Sequence, residues 1–367
     1  MKTATITYHN AHNYGALLQA YALQQAQLKL LIDNVIINYN PEKNRVYYKI
    51  KGNTLKIFVV NIFRFVETAK SFLPIQRRFR KFETFTRRRL RMTRKYRSLK
   101  DLKSDPPEAD WYIAGSDQLW NVSVYLRKEF FLDFGDSSIK RASFAVSMGS
   151  YQVSEEYRKV MRDLLERFNS ISVREVEAKI FIEELLEKKD CVSLNFDPVF
   201  LLSVEEWSEF AKRKEIGSKY ILCFPMSGHP LLQKALNKLK QLTGYRTVII
   251  TTEVFARIKG DIDIKDASPE EFIYLLKNAE YVLTTSFHGT AFCTMFHKKF
   301  YSFLGGTAPT RITGILKRLG LEDRIAQSLV DITTDEIDYE NVNRRVEREQ
   351  ELAKEYLLSL IYHGGSS

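Results

Sequence analysis

The sequence predicts an α/β protein of two Rossmann-like domains that face a cleft. Three observations carry this. Short β-branched apolar runs alternate with helix-forming stretches near the start of the chain, again from residue 111, and once more from residue 220, the rhythm of βαβ units. The 367 residues suit two domains of about 150–180 residues better than one, and 44% hydrophobic content fills both cores. Polar turns stand at the carboxyl ends of several strands, where open parallel sheets bind ligands.

Taken in order, Thr3 to Tyr8 is a short strand, His9 to Gly15 a polar loop, Ala16 to Leu30 a helix and Val35 to Tyr39 a second strand. This βαβ opening places Asn13-Tyr14-Gly15 at the end of its first strand without the glycine spacing of a dinucleotide fingerprint. The rhythm breaks over about residues 41–109, read as a helical, basic insertion. It resumes with the strand Trp111 to Ala114 and the turn Gly115-Ser116-Asp117-Gln118, then the strand Lys140 to Val146. A helix over Ser154 to Phe168, a strand Ile171 to Val173 ending in Arg174-Glu175, and a helix to about Lys188 complete the first domain, residues 1–196. The second domain, residues 197–341, has strands Tyr220 to Pro225, Thr247 to Thr252 and Tyr281 to Thr285. Its helices are Leu231 to Leu242 and Pro269 to Lys277, the latter opened by the capping box Ser268-Pro269-Glu270-Glu271. A last helix within residues 342–367, over about Val342 to Tyr362, is expected to cross back to the first domain.

The stretch Tyr281 to Phe292, YVLTTSFHGTAF, is the strongest site candidate. It reads as a buried strand, a polar turn and an apolar helix. The first amides of that helix would point at whatever occupies the turn, and the helix dipole favours an anion there. The alternative is a helix N-cap by Ser286 with a histidine that only caps or packs.

Cys191, Cys223 and Cys293 are widely spaced and lie in or beside apolar runs, so neither a disulfide framework nor a zinc site is expected. No metal and no bound cofactor is expected. The N-terminus MKTATITYHN has no signal core and no run is long enough to span a bilayer, so a reducing, cytoplasmic compartment is expected.

The charge is concentrated. Between Arg77 and Lys103 stand thirteen Lys or Arg and two acids, a surplus equal to the +11 of the whole chain. Such a block suggests an anionic partner. Together with the apolar run Leu55 to Phe65, it reads as Leu55–Lys103 resting on the anionic inner membrane face, or as a helical lid with a solvated outer side. Nucleic acid is not expected, because no RNA-binding motif accompanies the charge and Phe79, Phe82, Phe85 and Tyr96 are read as core contacts.

Seven segments together resemble the polysaccharide pyruvyl transferase family: NYGALLQAYAL (13–23), AGSDQLWN (114–121), SFAVSMG (143–149), ISVRE (171–175), DPVFLL (197–202), SPEEFIYLLKNAEYVLTTSFHGTAF (268–292) and the tail from Arg311-Ile312 to Arg324. The resemblance covers nearly the whole chain. It implies a GT-B-like two-domain fold and transfer of a pyruvyl group from phosphoenolpyruvate to a pair of sugar hydroxyls, giving a ketal on a capsular or exopolysaccharide glycan. The acceptor would be a sugar or a lipid-linked oligosaccharide.

That reaction needs an acid for the methylene carbon, cations for carboxylate and phosphate, and a base for the sugar hydroxyl. His288 is the acid candidate, since imidazole transfers protons near neutral pH. Gly289 and Thr290 offer backbone N–H groups to the phosphate beside Ser286. Arg174 is the bidentate clamp, or else an ion-pair partner of Glu175 or another acid. Asp117 is the base candidate, or an Asx-turn residue. Asn13, Gly15 and Ser116 are expected on the acceptor side, with a loop hydrogen bond the alternative for Asn13. In some branches of the family an arginine stands two residues before the histidine, and here that place is Ser286. The second cation for the donor then comes from elsewhere, with Arg311 the candidate, or the donor differs. Two other readings stay open: a GT-B-type glycosyltransferase using a nucleotide-sugar donor held by Glu253 or Asp263, and a non-enzymatic binder of anionic surfaces.

Overall fold

The computed structural model describes the fold of residues 1–41, 57–122, 125–251, 258–305 and 309–362. Leu55 to Phe65 and Glu253 fall outside the residues whose side chains are described.

In the first domain β1 (Lys2–Ile6) leads through α1 (Tyr14–Lys29) to β2 (Asp33–Tyr39). Then follow α2 (Ile57–Arg89), β3 (Met92–Tyr96), α3 (Leu99–Ser104), β4 (Trp111–Ala114) and β5 (Lys140–Ser143). These five strands are all parallel, in the order β3-β2-β1-β4-β5. After α4 (Glu155–Leu165), β6 (Ile171–Val173), α5 (Val176–Leu186) and β7 (Val192–Leu194) extend the sheet, through bridges from Ala142 to Ser170 and Val146 to Val173. A 3-10 turn, Pro198–Leu201, and α6 (Val204–Phe210) then lead to the second domain. Its strands β8 (Tyr220–Phe224), β9 (Arg246–Ile250), β10 (Ile262–Ile264), β11 (Tyr281–Thr284) and β12 (Lys299–Ser302) repeat the same parallel order, β10-β9-β8-β11-β12. Its helices are α7 (Leu232–Thr243), α8 (Pro269–Lys277), α9 (Phe287–Met295) and α10 (Pro309–Leu319), and α11 (Tyr339–Tyr362) ends the described chain. Each sheet reverses direction beside its first strand, between β1 and β4 and between β8 and β11. Those reversals open crevices at the carboxyl ends of the strands.

The expected helical reading of the basic segment fails after Arg89. Met92–Tyr96, MTRKY, is a strand pairing with β2, with a register irregularity between Ile36 and Asn38. It is an edge strand, and its Arg94 and Lys95 are exposed. Edge strands carry such charges to block pairing with other chains, so their composition does not advertise a strand. Part of the expected insertion therefore belongs to the sheet.

The two domains share one core. Phe82 and Phe85 of α2 and Tyr14 and Leu17 of α1 are buried in the same cluster as Phe224, Phe272 and Phe292 of the second domain. The Tyr14 ring stacks on Phe272 at 4.5 Å, and its hydroxyl donates to the Ala267 carbonyl at 2.9 Å. Burying each such ring contributes about 1.5–3 kcal/mol, so the cleft is set by packing rather than left to a free hinge. The capping box of α8 forms: Ser268 Oγ accepts from Glu271 N at 3.1 Å, and Glu271 Oε2 accepts from Ser268 N at 2.7 Å. Helix α11 starts beside the second domain, with Val342 in the shared core, and ends on the first sheet, where Leu357 and Leu360 pack with Trp111 and Ile113. There the Tyr356 hydroxyl donates to the Ser143 carbonyl at 2.7 Å. No described helix is long and apolar enough to cross a membrane.

Candidate active site

The first domain contributes the turns after β1 and β4. Asn13 caps α1, its Oδ1 accepting from Ala16 N at 3.2 Å. Gly15 follows, and a Cβ placed there would lie 2.0 Å from Nδ1 of His288. Only a residue without a side chain lets the imidazole of one domain rest on the helix of the other. After β4, Asp117 adopts the left-handed conformation, φ 76°, and its Oδ1 accepts from Gln118 N at 2.9 Å. Ser116 is fully buried.

The second domain contributes the start of α9. Ser286 is its N-cap, with Oγ accepting from Gly289 N at 3.2 Å, while the Ser286 carbonyl accepts from Thr290 N at 2.9 Å. The Thr290 hydroxyl donates to the same carbonyl at 3.0 Å and pairs with Ser302 Oγ at 2.7 Å. The expected phosphate cradle at Gly289 and Thr290 is thus filled by the cap. The amides of Phe287 and His288, just before them in the same turn, have no partner among the described hydrogen bonds. They are the open donors at this positive helix end.

These parts meet on a residue the sequence reading passed over. Asp197, the N-cap of the turn joining the domains, is 1% exposed. Its Oδ1 accepts from Val199 N at 3.1 Å. Its Oδ2 accepts from Ser116 Oγ at 3.2 Å and from Arg174 Nη1, and lies 3.4 Å from His288 Nε2. The imidazole contact is at ion-pair distance but lacks the alignment of a hydrogen bond. Burial alone would raise the Asp197 carboxyl. His288, Arg174 and the Val199 amide outweigh it and hold the group well below the ordinary carboxylate range, so Asp197 stays ionised.

Arg174 is itself buried. Its Nε donates to Glu175 Oε1 at 3.2 Å, its Cζ lies 4.2 Å from the Phe287 ring centroid, and its Nη2 has no hydrogen-bond partner. Burial opposes its charge, but Glu175, Asp197 and Asp117 overcome this and raise its pKa. Arg174 therefore carries both meanings the sequence allowed, an ion pair with Glu175 and a donor left over. A cavity of about 250 Å³ opens here, lined by Arg174, Glu175, Asp197, Phe287 and Arg311 among others. With the Gln118 amide oxygen turned toward it, Arg311 donates to that oxygen from Nη2, Nε and Nη1 at 2.8, 3.0 and 3.1 Å. Burial, and then the like charge of Arg174, lower the Arg311 pKa. An anion beside Arg311 and the free Nη2 of Arg174 would offset the repulsion between the two guanidiniums that Glu175 and Asp197 leave.

A family model for polysaccharide pyruvyl transferase matches residues 13–305. The chain belongs to that family. No curated protein matches it. Among solved structures it is similar to UDP-GlcNAc 2-epimerase from Methanocaldococcus jannaschii, at TM-score 0.52 and 12% identity over 99% of this chain and 100% of that one. It is similar to UDP-GlcNAc 2-epimerase from Neisseria meningitidis bound to UDP-GlcNAc, at TM-score 0.50 and 11% identity over 99% of both chains. An alpha-glucosyltransferase in complex with UDP and a 13-mer DNA matches at TM-score 0.50 and 10% identity, over 97% of this chain and 95% of that one. At such identities the likeness establishes the GT-B-type fold alone.

In this pyruvyl transferase family member, then, His288, Arg174 and Ser116 converge on Asp197, Gly15 backs the His288 ring, and Arg311 lines the cavity beside Gln118. Asn13, Ser286, Gly289 and Thr290 serve helix caps and their hydrogen bonds. Asp117 lies near enough to influence Arg174 and Arg311 through its charge. Asp197 left one signal in the sequence, an acid directly before Pro198 at the domain junction. That pair reads equally well as a simple cap.

Proposed function

We propose that the protein transfers a pyruvyl group from phosphoenolpyruvate to two hydroxyls of a sugar in polysaccharide biosynthesis. The observation that carries this reading is the convergence of His288 and Arg174 on buried Asp197, beside two open amides of α9. The enol phosphate's carboxylate and phosphate are held by Arg174 Nη2, Arg311 and the amides of Phe287 and His288. A cavity of about 250 Å³ suits a three-carbon phosphate.

His288 gives its proton to the methylene carbon, and positive charge develops at the phosphate-bearing carbon. Asp197 is the fixed counter-charge that holds the imidazolium in place before transfer. The first sugar hydroxyl adds to that carbon and loses its proton to Asp117. The carbon–oxygen bond to phosphate breaks, and the second hydroxyl closes the ketal. Of the two hydroxyl protons, one replaces that given by His288 and the other leaves with phosphate.

The test is phosphate release from phosphoenolpyruvate with acceptor present. His288→Ala should lower the rate by about 10²–10⁴ while the protein still folds. Arg174→Ala is a poor probe, because it strands Glu175 and Asp197 in the core at a cost of about 3–5 kcal/mol. Arg174→Lys keeps the charge and loses the fork, so turnover should fall in a folded protein. Phosphoenolpyruvate at a hundred times its dissociation constant should stabilise the fold by about 2.7 kcal/mol. Stabilisation by UDP-sugars and not by phosphoenolpyruvate would refute the donor.

A further inference from the structure

The structure divides the basic segment into two populations. Most of its charges are used inside the molecule. Lys81 donates to the Asp266 carbonyl and to Glu271 at 2.9 and 2.8 Å, and Arg78 donates to the Thr251 carbonyl at 2.9 Å. Arg89 pairs with Glu270, Arg91 with Asp33, Arg94 with Asp105 and Lys103 with Asp133. Arg78, Lys81 and Arg89 thus tie α2 to the second domain, while Arg91, Arg94 and Lys103 lie beyond α2 and pair within the first.

Arg80, Arg87 and Arg88 are different. All three are exposed, and none forms an ion pair among the described residues. At 100° per residue they fall on one face of α2 with Arg77, Thr84 and Leu73. Leu73, 64% exposed, stands at the end of this face. Behind the stripe lies a groove of about 510 Å³ against α8, lined by Arg80, Arg88, Arg89 and Lys212 with Glu270 and Glu271 of α8, and sharing no lining residue with the cavity at Arg174 and Asp197. A solvated helix face normally interleaves signs, whereas Glu83 is the one acid of this helix beyond Leu73.

We propose that this face of α2 docks the protein on an anionic phospholipid surface, with Arg80, Arg87 and Arg88 on the headgroups and Leu73 entering the interface. A basic stripe ending in an exposed aliphatic is the pattern of an interfacial helix. Single-stranded nucleic acid would call for exposed aromatics to stack bases. Those of this segment are committed elsewhere: Phe82, Phe85 and Tyr96 are buried, and Phe79 stacks on His12 at 4.0 Å. Because α2 is also tied to the second domain and packs in the shared core, docking would fix the orientation of the cleft relative to the surface.

The test is co-sedimentation of the full chain with phosphatidylcholine vesicles, with and without a third of phosphatidylglycerol. Binding is expected only to the anionic vesicles. It should weaken between about 0.1 M and 1 M salt, as the screening length falls from about 10 Å to 3 Å. Each arginine contributes about fivefold to the partition coefficient, so a triple R80E/R87E/R88E variant should lose at least on the order of a hundredfold. Lys95→Glu, an exposed charge on β3 away from this face, should bind like the unaltered protein. Melting temperature and transfer to a soluble acceptor should be unchanged in both variants, which separates this proposal from the catalytic one. Equal recovery with neutral and anionic vesicles, undiminished binding by the triple variant, or retention on RNA without vesicle binding would each overturn it.

Discussion

Replacing Gly15 by alanine would place a methyl carbon 2.0 Å from Nδ1, 2.3 Å from Cγ and 2.7 Å from Cε1 of His288. Ordinary contact begins near 3.4 Å. Ring and helix must therefore separate by about 1.4 Å, and displacements of about 1 Å at reacting groups cost about a hundredfold in rate. The ring has little room, with Asp197 at 3.4 Å from Nε2 on its other side. The effect on folding is smaller and of mixed sign. Alanine in α1 gains up to about 1 kcal/mol of helix propensity, while crowding at a packed contact costs about 1–3 kcal/mol. Gly15→Ala should thus fold with a slightly lowered melting temperature and lose about a hundredfold in kcat. The measurement is steady-state phosphate release beside a thermal melt. Unchanged kcat in a folded Gly15→Ala protein would show that the close approach of the two domains does not hold the imidazole for chemistry.

Asp197→Asn should lower kcat more than it raises KM, because it removes the counter-charge to His288; equal loss in both parameters would point to donor binding instead. The same variant has a pH signature. The Asp197 carboxyl is depressed in the folded protein, so its stabilisation is fully present above the unfolded value near 3.9 and is lost as pH falls through the folded one. The stability gap between the native protein and Asp197→Asn should then be constant above about pH 5 and narrow below about pH 4 in urea unfolding; a gap that widens with acid would reverse the assignment. Arg311→Ala should raise KM for phosphoenolpyruvate by about tenfold or more, the cost of one charge-assisted contact, with little change in the melting temperature of the ligand-free protein, because relief of a buried charge facing Arg174 offsets the loss of the contacts to Gln118 and the nearby acids. A melting temperature that falls with no change in KM would make Arg311 a structural latch to Gln118.

Legible in the residues alone were the alternating α/β elements, the two-domain architecture, the polar turns after β1, β4 and β11, and the candidacy of His288 and Arg174. These are local properties: apolar period, cap chemistry and turn residues lie within a few positions of one another. The sequence reading missed β3, because an edge strand with exposed Arg94 and Lys95 has no apolar pattern to reveal it. It read Gly15 as an acceptor contact and Gly289-Thr290 as a phosphate cradle. The first is the seat of an imidazole 273 positions away, and the amides of the second are taken by Ser286. Asp197 shows the division most sharply. Alone it is an acid before a proline. Only the packing of two sheets around the shared core of Tyr14, Phe82 and Phe272 brings Ser116, Arg174 and His288 to its carboxylate. A buried charge draws its meaning from whichever partners the fold delivers, and partners so distant in sequence leave no local trace.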